Sequence, residues 1–163
     1  MNTTAIGPLP RVEAALRYLE PMQDKPRSLE YEPPPGVPRS TAIYRDHTVA
    51  IRDVRPVASA RGPIQDAPLA VADAQSVESD DLVATDLVYP DRIGEIYYVK
   101  FNPSHRWFYA PAMRPDEVLL IKCFDSVIDG RARFVPHSAF VDPTSPSDAT
   151  PRESIELRTL VFY

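Results

Sequence analysis

Three side chains near the carboxyl end of this 163-residue chain have types and spacing suited to ligand chemistry. His137 stands between Pro136 and Ser138, and its imidazole can ligate a metal or carry a proton. Arg152 and Ser154 follow, two apart on a predicted strand, so both side chains point to one face. Glu156 and Arg158 continue that face, while Ile155, Leu157, Thr159 and Val161 take the other. A guanidinium fork beside a hydroxyl can grip a carboxylate bidentately. The plainer role is a solvent-facing Arg and Glu ladder with cross-strand pairing. For His137, the plainer role is a structural hydrogen bond. A two-histidine, one-carboxylate metal site needs two further ligands, normally written His-x-Asp or His-x-Glu. Neither motif occurs in the chain. One imidazole cannot hold a divalent metal at useful affinity, because ligand count and rigidity set that affinity. His47 and Asp53 have the parity to share a strand face, but they are too far apart to chelate one ion directly from a flat strand.

Two other groups merit weighing. Arg106 and Trp107, with Tyr109 close by, form a cation and aromatic cluster that can line a substrate, or can anchor a loop onto the core. Lys122 and Asp125 flank Cys123 next to the apolar run 118–121. Lys122 is an acid–base candidate alongside His137. Cys123 reads as a small buried packing residue, since a reactive thiolate needs exposure and an activating base.

The elements that must position these groups are short. The chain has 19 prolines against 5 glycines, far above proline's usual share of about 5%. Proline removes backbone donors and ends helices, which favours short strands joined by rigid loops. At this length one domain with a single core, 1–163, is expected. The net charge of −5 argues against a nucleic-acid partner, which usually selects a basic stripe. No apolar run approaches the roughly 20 residues of a membrane span. The first ten residues lack the basic and apolar regions of a secretory signal. A single cysteine cannot form an internal disulfide, consistent with a reducing, cytoplasmic location.

Residues 1–10 read as an irregular arm. Pro10 then opens a predicted helix over Arg11 to Glu20, with Val12, Ala15, Leu16 and Leu19 as its apolar stripe, ended by Pro21. Residues 22–39 form a proline-rich loop with a polyproline II bias, read as a rigid spacer rather than a signalling ligand. A strand is expected over 47–54, with Val49 and Ile51 on one face. Residues 61–80 are mixed, with a turn at Gly62-Pro63 and a brief helical turn starting at Ser76. Strands follow at 94–101, at 117–124 (a continuous apolar run buried on both faces), at 131–135 after an Asp129-Gly130 hairpin turn, and at 154–162.

The runs RGPIQDAP (61–68), DLV (81–83), FNP (101–103), HRW (105–107), RPDE (114–117), LIKCFDS (120–126), PHS (136–138) and PRES (151–154) together resemble the carboxyl-terminal half of the fungal AsaB-like hydroxylase/desaturase family. The resemblance covers 61–163 almost continuously, which makes it more specific than any single motif. It implies descent from the jelly-roll (double-stranded β-helix) oxygenases that use Fe(II) and 2-oxoglutarate. It also implies a role in hydroxylating or desaturating a small organic substrate of a secondary-metabolite pathway. By the same resemblance His137 is the distal metal ligand, Arg152 and Ser154 hold the co-substrate, and Arg106 and Trp107 line the substrate. The family's central His-x-Asp segment has no counterpart here, so the expected fold is a shortened, mostly β jelly roll with one short amino-terminal helix. Such shortening leaves open strand edges, which a homodimer can cover. The same residues also allow two rival functions. One is a metal-free isomerase, cyclase or dehydratase using His137, Arg152 and Lys122. The other is a non-catalytic truncated paralogue.

Overall fold

The computed structural model describes residues 11–53, 64–114 and 116–162. The expected arm over 1–10 and the Gly62-Pro63 turn lie outside the described residues. Eight strands make up the body: β1 (Arg11–Leu19), β2 (Arg27–Leu29), β3 (Tyr44–Asp53), β4 (Leu69–Ala72), β5 (Leu82–Val88), β6 (Ile93–Val99), β7 (Trp107–Tyr109) and β8 (His137–Ala139). They form a five-stranded sheet in the order β1-β3-β7-β4-β8 and a three-stranded sheet in the order β2-β5-β6. Pairing is antiparallel except for β2 with β5 and β3 with β7. Helical structure among the described residues is confined to two 3-10 turns, Ala74–Ser76 and Ser79–Asp81.

The amino-terminal helix is a strand. Residues 11–19 carry two periodicities at once, because Val12 and Leu16 fit both a helical stripe and a period of two. The structure takes the second: Ala14, Leu16 and Tyr18 are buried while Glu13, Ala15 and Arg17 face solvent. Pairing with β3 decides it, in a register that sets Leu16 opposite His47 and Arg17 opposite Asp46. Tertiary pairing overrides the helix preference of Ala, Leu and Glu. The next 3-10 turn is capped by Asp73, whose carboxylate accepts from the Gln75 N–H at 2.9 Å. Ser76 is thus inside that turn rather than its start.

The core collects Leu16, Tyr18, Ile51, Ala70, Trp107, Tyr109 and Phe140, the inward positions of β1, β3, β4 and β7 with the residue after β8. Ile51 pairs with Trp107 across the parallel β3–β7 contact, which brings the indole under the sheet. The expected strands at 47–54 and 94–101 correspond to β3 and β6. Those at 117–124, 131–135 and 154–162 enter neither sheet. The 118–121 run is not buried on two faces: Val118 is 79% and Leu120 91% exposed. Gly130 does take the positive φ of a turn (+92°), and the Val135 N–H donates to the Lys122 carbonyl at 3.0 Å. No ladder extends beyond that bond among the described residues. Without a neighbouring strand on either side, an apolar run has nothing to bury against. Cys123 is likewise exposed rather than packed.

Candidate functional site

The two sheets meet where β1 ends. Leu19 bridges to Lys100 just beyond β6, and the Glu20 N–H donates to the Ile43 carbonyl at 2.8 Å before Pro21 turns the chain away. At this junction lies a cleft of about 360 Å³ lined by Leu19, Glu20, Pro21, Arg45, His47, Asp81, Lys100 and Phe101. One wall is aromatic: His47, inward on β3, stacks on Phe101 with centroids 3.9 Å apart and planes 7° apart. The Glu20 carboxylate stands 3.3 Å from Arg45 and 3.9 Å from His47. Apolar, aromatic and charged groups thus converge on one small, half-open volume whose lining is mostly polar or charged.

Beneath the cleft sits a buried polar cluster. The antiparallel register of β5 and β6 sets Leu82 opposite Val99, so Asp81 and Lys100 meet at the open end of that hairpin. The Lys100 N–H donates to the Asp81 carbonyl at 2.8 Å. The Asp81 carboxylate accepts from the Glu78 N–H at 3.0 Å, from Asn102 Nδ2 at 3.1 Å and from His105 Nε2 at 3.1 Å. Burial pushes the Asp81 carboxyl upward, but these three donors outweigh it and hold the group below its ordinary range. With Nε2–H committed to Asp81, Nδ1 of His105 is buried without a hydrogen-bond partner among the described residues. The imidazole stacks on Tyr18 at 5.8 Å, and Tyr18 in turn accepts from Trp107 Nε1 at 2.7 Å. Burial is the main cause that pushes the Tyr18 phenol up to about 12, against the opposing pull of the Trp107 N–H.

The residues singled out in the sequence lie elsewhere. His137 is exposed on β8, opposite Val71 of β4. Its Nδ1–H donates to the Val135 carbonyl at 3.0 Å. That bond fixes the tautomer and leaves the Nε2 lone pair outward, the arrangement a metal-binding histidine uses. Lys122 is paired with Asp125 at 2.6 Å. Arg152 is half-buried and Ser154 exposed on a segment outside both sheets. No hydrogen bond or ion pair joins His137 to Lys122, Arg152 or Ser154. Arg106 pairs with Asp73 at 2.6 Å instead of lying over an aromatic face, and Trp107 is in the core. Neither lines the cleft.

An iron centre needs several protein ligands brought to one point. His137 has the right tautomer for one ligand, yet no three His, Cys, Asp or Glu side chains come together as a metal-holding group among the described residues. The described residues do not fit a complete iron site. The Asp81–His105 pair and the Glu20, Arg45, His47 and Lys100 set were missed from sequence. Only the β5–β6 register, read from Asp81-Leu82 against Val99-Lys100, could have indicated the first.

Comparison with known proteins gives the setting. A family model described as "Oxidoreductase/YMDC permease-like domain" matches residues 55–162. The hydroxylase/desaturase asaB of Aspergillus flavus is 44% identical over 115 residues, covering 62% of this chain and 51% of that relative. The Fe(II)/2-oxoglutarate-dependent dioxygenase nvfI of Aspergillus novofumigatus is 39% identical over 102 residues, covering 61% of this chain and 36% of that relative. The chain therefore spans about half the length, or less, of these curated relatives. Among solved structures, the iron and alpha-ketoglutarate-dependent endoperoxidase NvfI superposes with a TM-score of 0.73 at 16% identity, over 87% of this chain and 94% of that one. The fold is accordingly a mostly β, jelly-roll-like architecture. Among the described residues no helix is long and apolar enough to cross a membrane.

Proposed function

The chain belongs to the family described as Oxidoreductase/YMDC permease-like domain, with fungal hydroxylase/desaturases as its relatives, and from that premise we propose that it is an oxidoreductase-like protein of a fungal secondary-metabolite pathway. Its substrate is a small organic molecule that is hydroxylated or desaturated, and its place is the cytoplasm. The kinship over residues 55–162 carries this reading. The cleft supports it, since an aromatic wall at His47 and Phe101 with charges at Arg45 and Lys100 suits a small polar substrate.

The relatives named for Fe(II) and 2-oxoglutarate give the cofactor class, and Arg152 and Ser154 are the residues we assign to a carboxylate co-substrate. His137 is the residue we assign to a metal, and a complete iron site would need further ligands from outside the described residues. The reading is tested by disrupting the gene in the fungus that carries it and profiling its metabolites. One product should vanish, with a precursor accumulating that differs from it by one oxygen atom or by two hydrogens. An unchanged metabolite profile would overturn the proposal.

A further inference from the structure

Residues 151–162 enter neither sheet, yet their composition is that of a strand. Ile155, Leu157, Leu160, Val161 and Phe162 are each at least 74% exposed. So many exposed large apolar side chains in one short segment, Ile155, Leu157 and Val161 on one strand face and Leu160 and Phe162 on the other, mark an interaction segment rather than ordinary surface scatter. An unpaired segment that alternates apolar and charged residues also presents a free row of backbone donors and acceptors.

The charge order on this segment selects its partner. We propose that residues 153–161 form an antiparallel two-stranded ladder with the same residues of a second copy of this chain, centred on Leu157. In that register Glu156 of each copy faces Arg158 of the other, so two symmetric ion pairs flank a Leu157–Leu157 contact. Ile155 then faces Thr159, Ser154 faces Leu160, and Glu153 faces Val161. Partners share parity, so both copies place Ile155, Leu157, Thr159 and Val161 on one face and Glu156 and Arg158 on the other.

Neighbouring registers fail on the same residues. Centring on Glu156 sets Glu156 against Glu156, and centring on Arg158 sets Arg158 against Arg158, each a like-charge contact. A centre between two residues puts the apolar face of one copy beside the charged face of the other. Within one copy, Glu156 and Arg158 already lie 3.1 Å apart. The dimer shares that pair across its two-fold axis and closes, because the contact is isologous. The test residues Glu156 and Arg158 are not site residues of the functional reading, although Ser154, assigned there to the co-substrate, lies within the ladder.

Sedimentation of the full chain at low ionic strength over a range of concentrations tests it, with circular dichroism to verify that each variant is folded. The wild type should pass from monomer to dimer as concentration rises. Glu156→Arg and Arg158→Glu should each weaken the dimer by about tenfold, because each turns two attractive cross-strand pairs into two repulsive ones. The double variant should dimerise like the wild type. An equimolar mixture of the two single variants should also form a dimer that neither forms alone at that concentration. A wild type that stays monomeric throughout, single variants that dimerise normally, or a mixture that fails to recover would each overturn the proposal.

Discussion

Replacing Asp81 with alanine removes the acceptor of three hydrogen bonds at the junction of the two sheets. The cost depends on how dry each stranded donor is. Glu78 is exposed and Asn102 half-buried, so both can turn to water, whereas the His105 side chain is only 1% exposed and cannot. A buried donor left without a partner costs about 1–3 kcal/mol, and a bond to a charged group contributes about 1.5–3 kcal/mol. Breaking one buried pair by removing a single partner falls at about 3–5 kcal/mol. Partial rehydration of Glu78 and Asn102 places Asp81→Ala near the lower end, about 3 kcal/mol, out of a total stability of roughly 5–15 kcal/mol. With a urea slope of about 1–3 kcal/mol per molar, the unfolding midpoint should fall by about 1–3 M at unchanged slope. His105→Ala alone and the double variant complete a cycle, and the two losses should be strongly sub-additive. A midpoint within the spread of ordinary surface substitutions, or purely additive losses, would refute the role assigned to this pair.

The same carboxylate governs acid stability. Its folded value is depressed, so its contribution is present above the unfolded value of about 3.9 and is lost as pH falls through the folded one; chemical denaturation between pH 5 and pH 3, as round working limits for about that window, should show a shallower decline in Asp81→Ala than in the wild type. Tyr18→Phe deprives the Trp107 N–H of its acceptor and should cost about 1–2 kcal/mol; the chain has one tryptophan, so a change in its fluorescence reports this site, and an unmoved emission with unmoved stability would count against it. Leu16→Ala should lose about 2–5 kcal/mol through a core cavity, while Leu120→Ala should stay within about 0.5 kcal/mol; equal losses in thermal unfolding would mean that the 118–121 run is buried after all.

How much was legible in the sequence turns on which contacts are local. β3 and β6 were readable because alternation and β-branched residues speak for themselves, and Asp129-Gly130 announced a turn by its type. β1 was misread because Val12, Ala15, Leu16 and Leu19 satisfy a helix as well as Val12, Ala14, Leu16 and Tyr18 satisfy a strand, and only pairing with β3 separates them. The segments 117–124 and 154–162 have genuine strand character, but strand character does not supply a neighbour to pair with. The kinship was legible in the runs around Asp81, His105, His137 and Arg152. The cleft was not, since it joins the end of β1, the middle of β3 and the residues after β6, which are far apart in sequence and meet only through sheet register.

The proposal that His137 serves a metal and that Arg152 and Ser154 serve a carboxylate, among described residues that hold no complete metal site, is open to measurement. Iron content of the purified chain, measured together with release of succinate from 2-oxoglutarate, tests it most directly. Without ligands from outside the described residues, Fe(II) should bind weakly and sub-stoichiometrically, His137→Ala should change that little, and no succinate should form above background. Binding of 2-oxoglutarate should be no tighter than the millimolar range, weakened further by Arg152→Ala, because an exposed ion pair is worth only about 0–1 kcal/mol. One tightly held iron per chain, with succinate formation abolished by His137→Ala, would contradict these expectations.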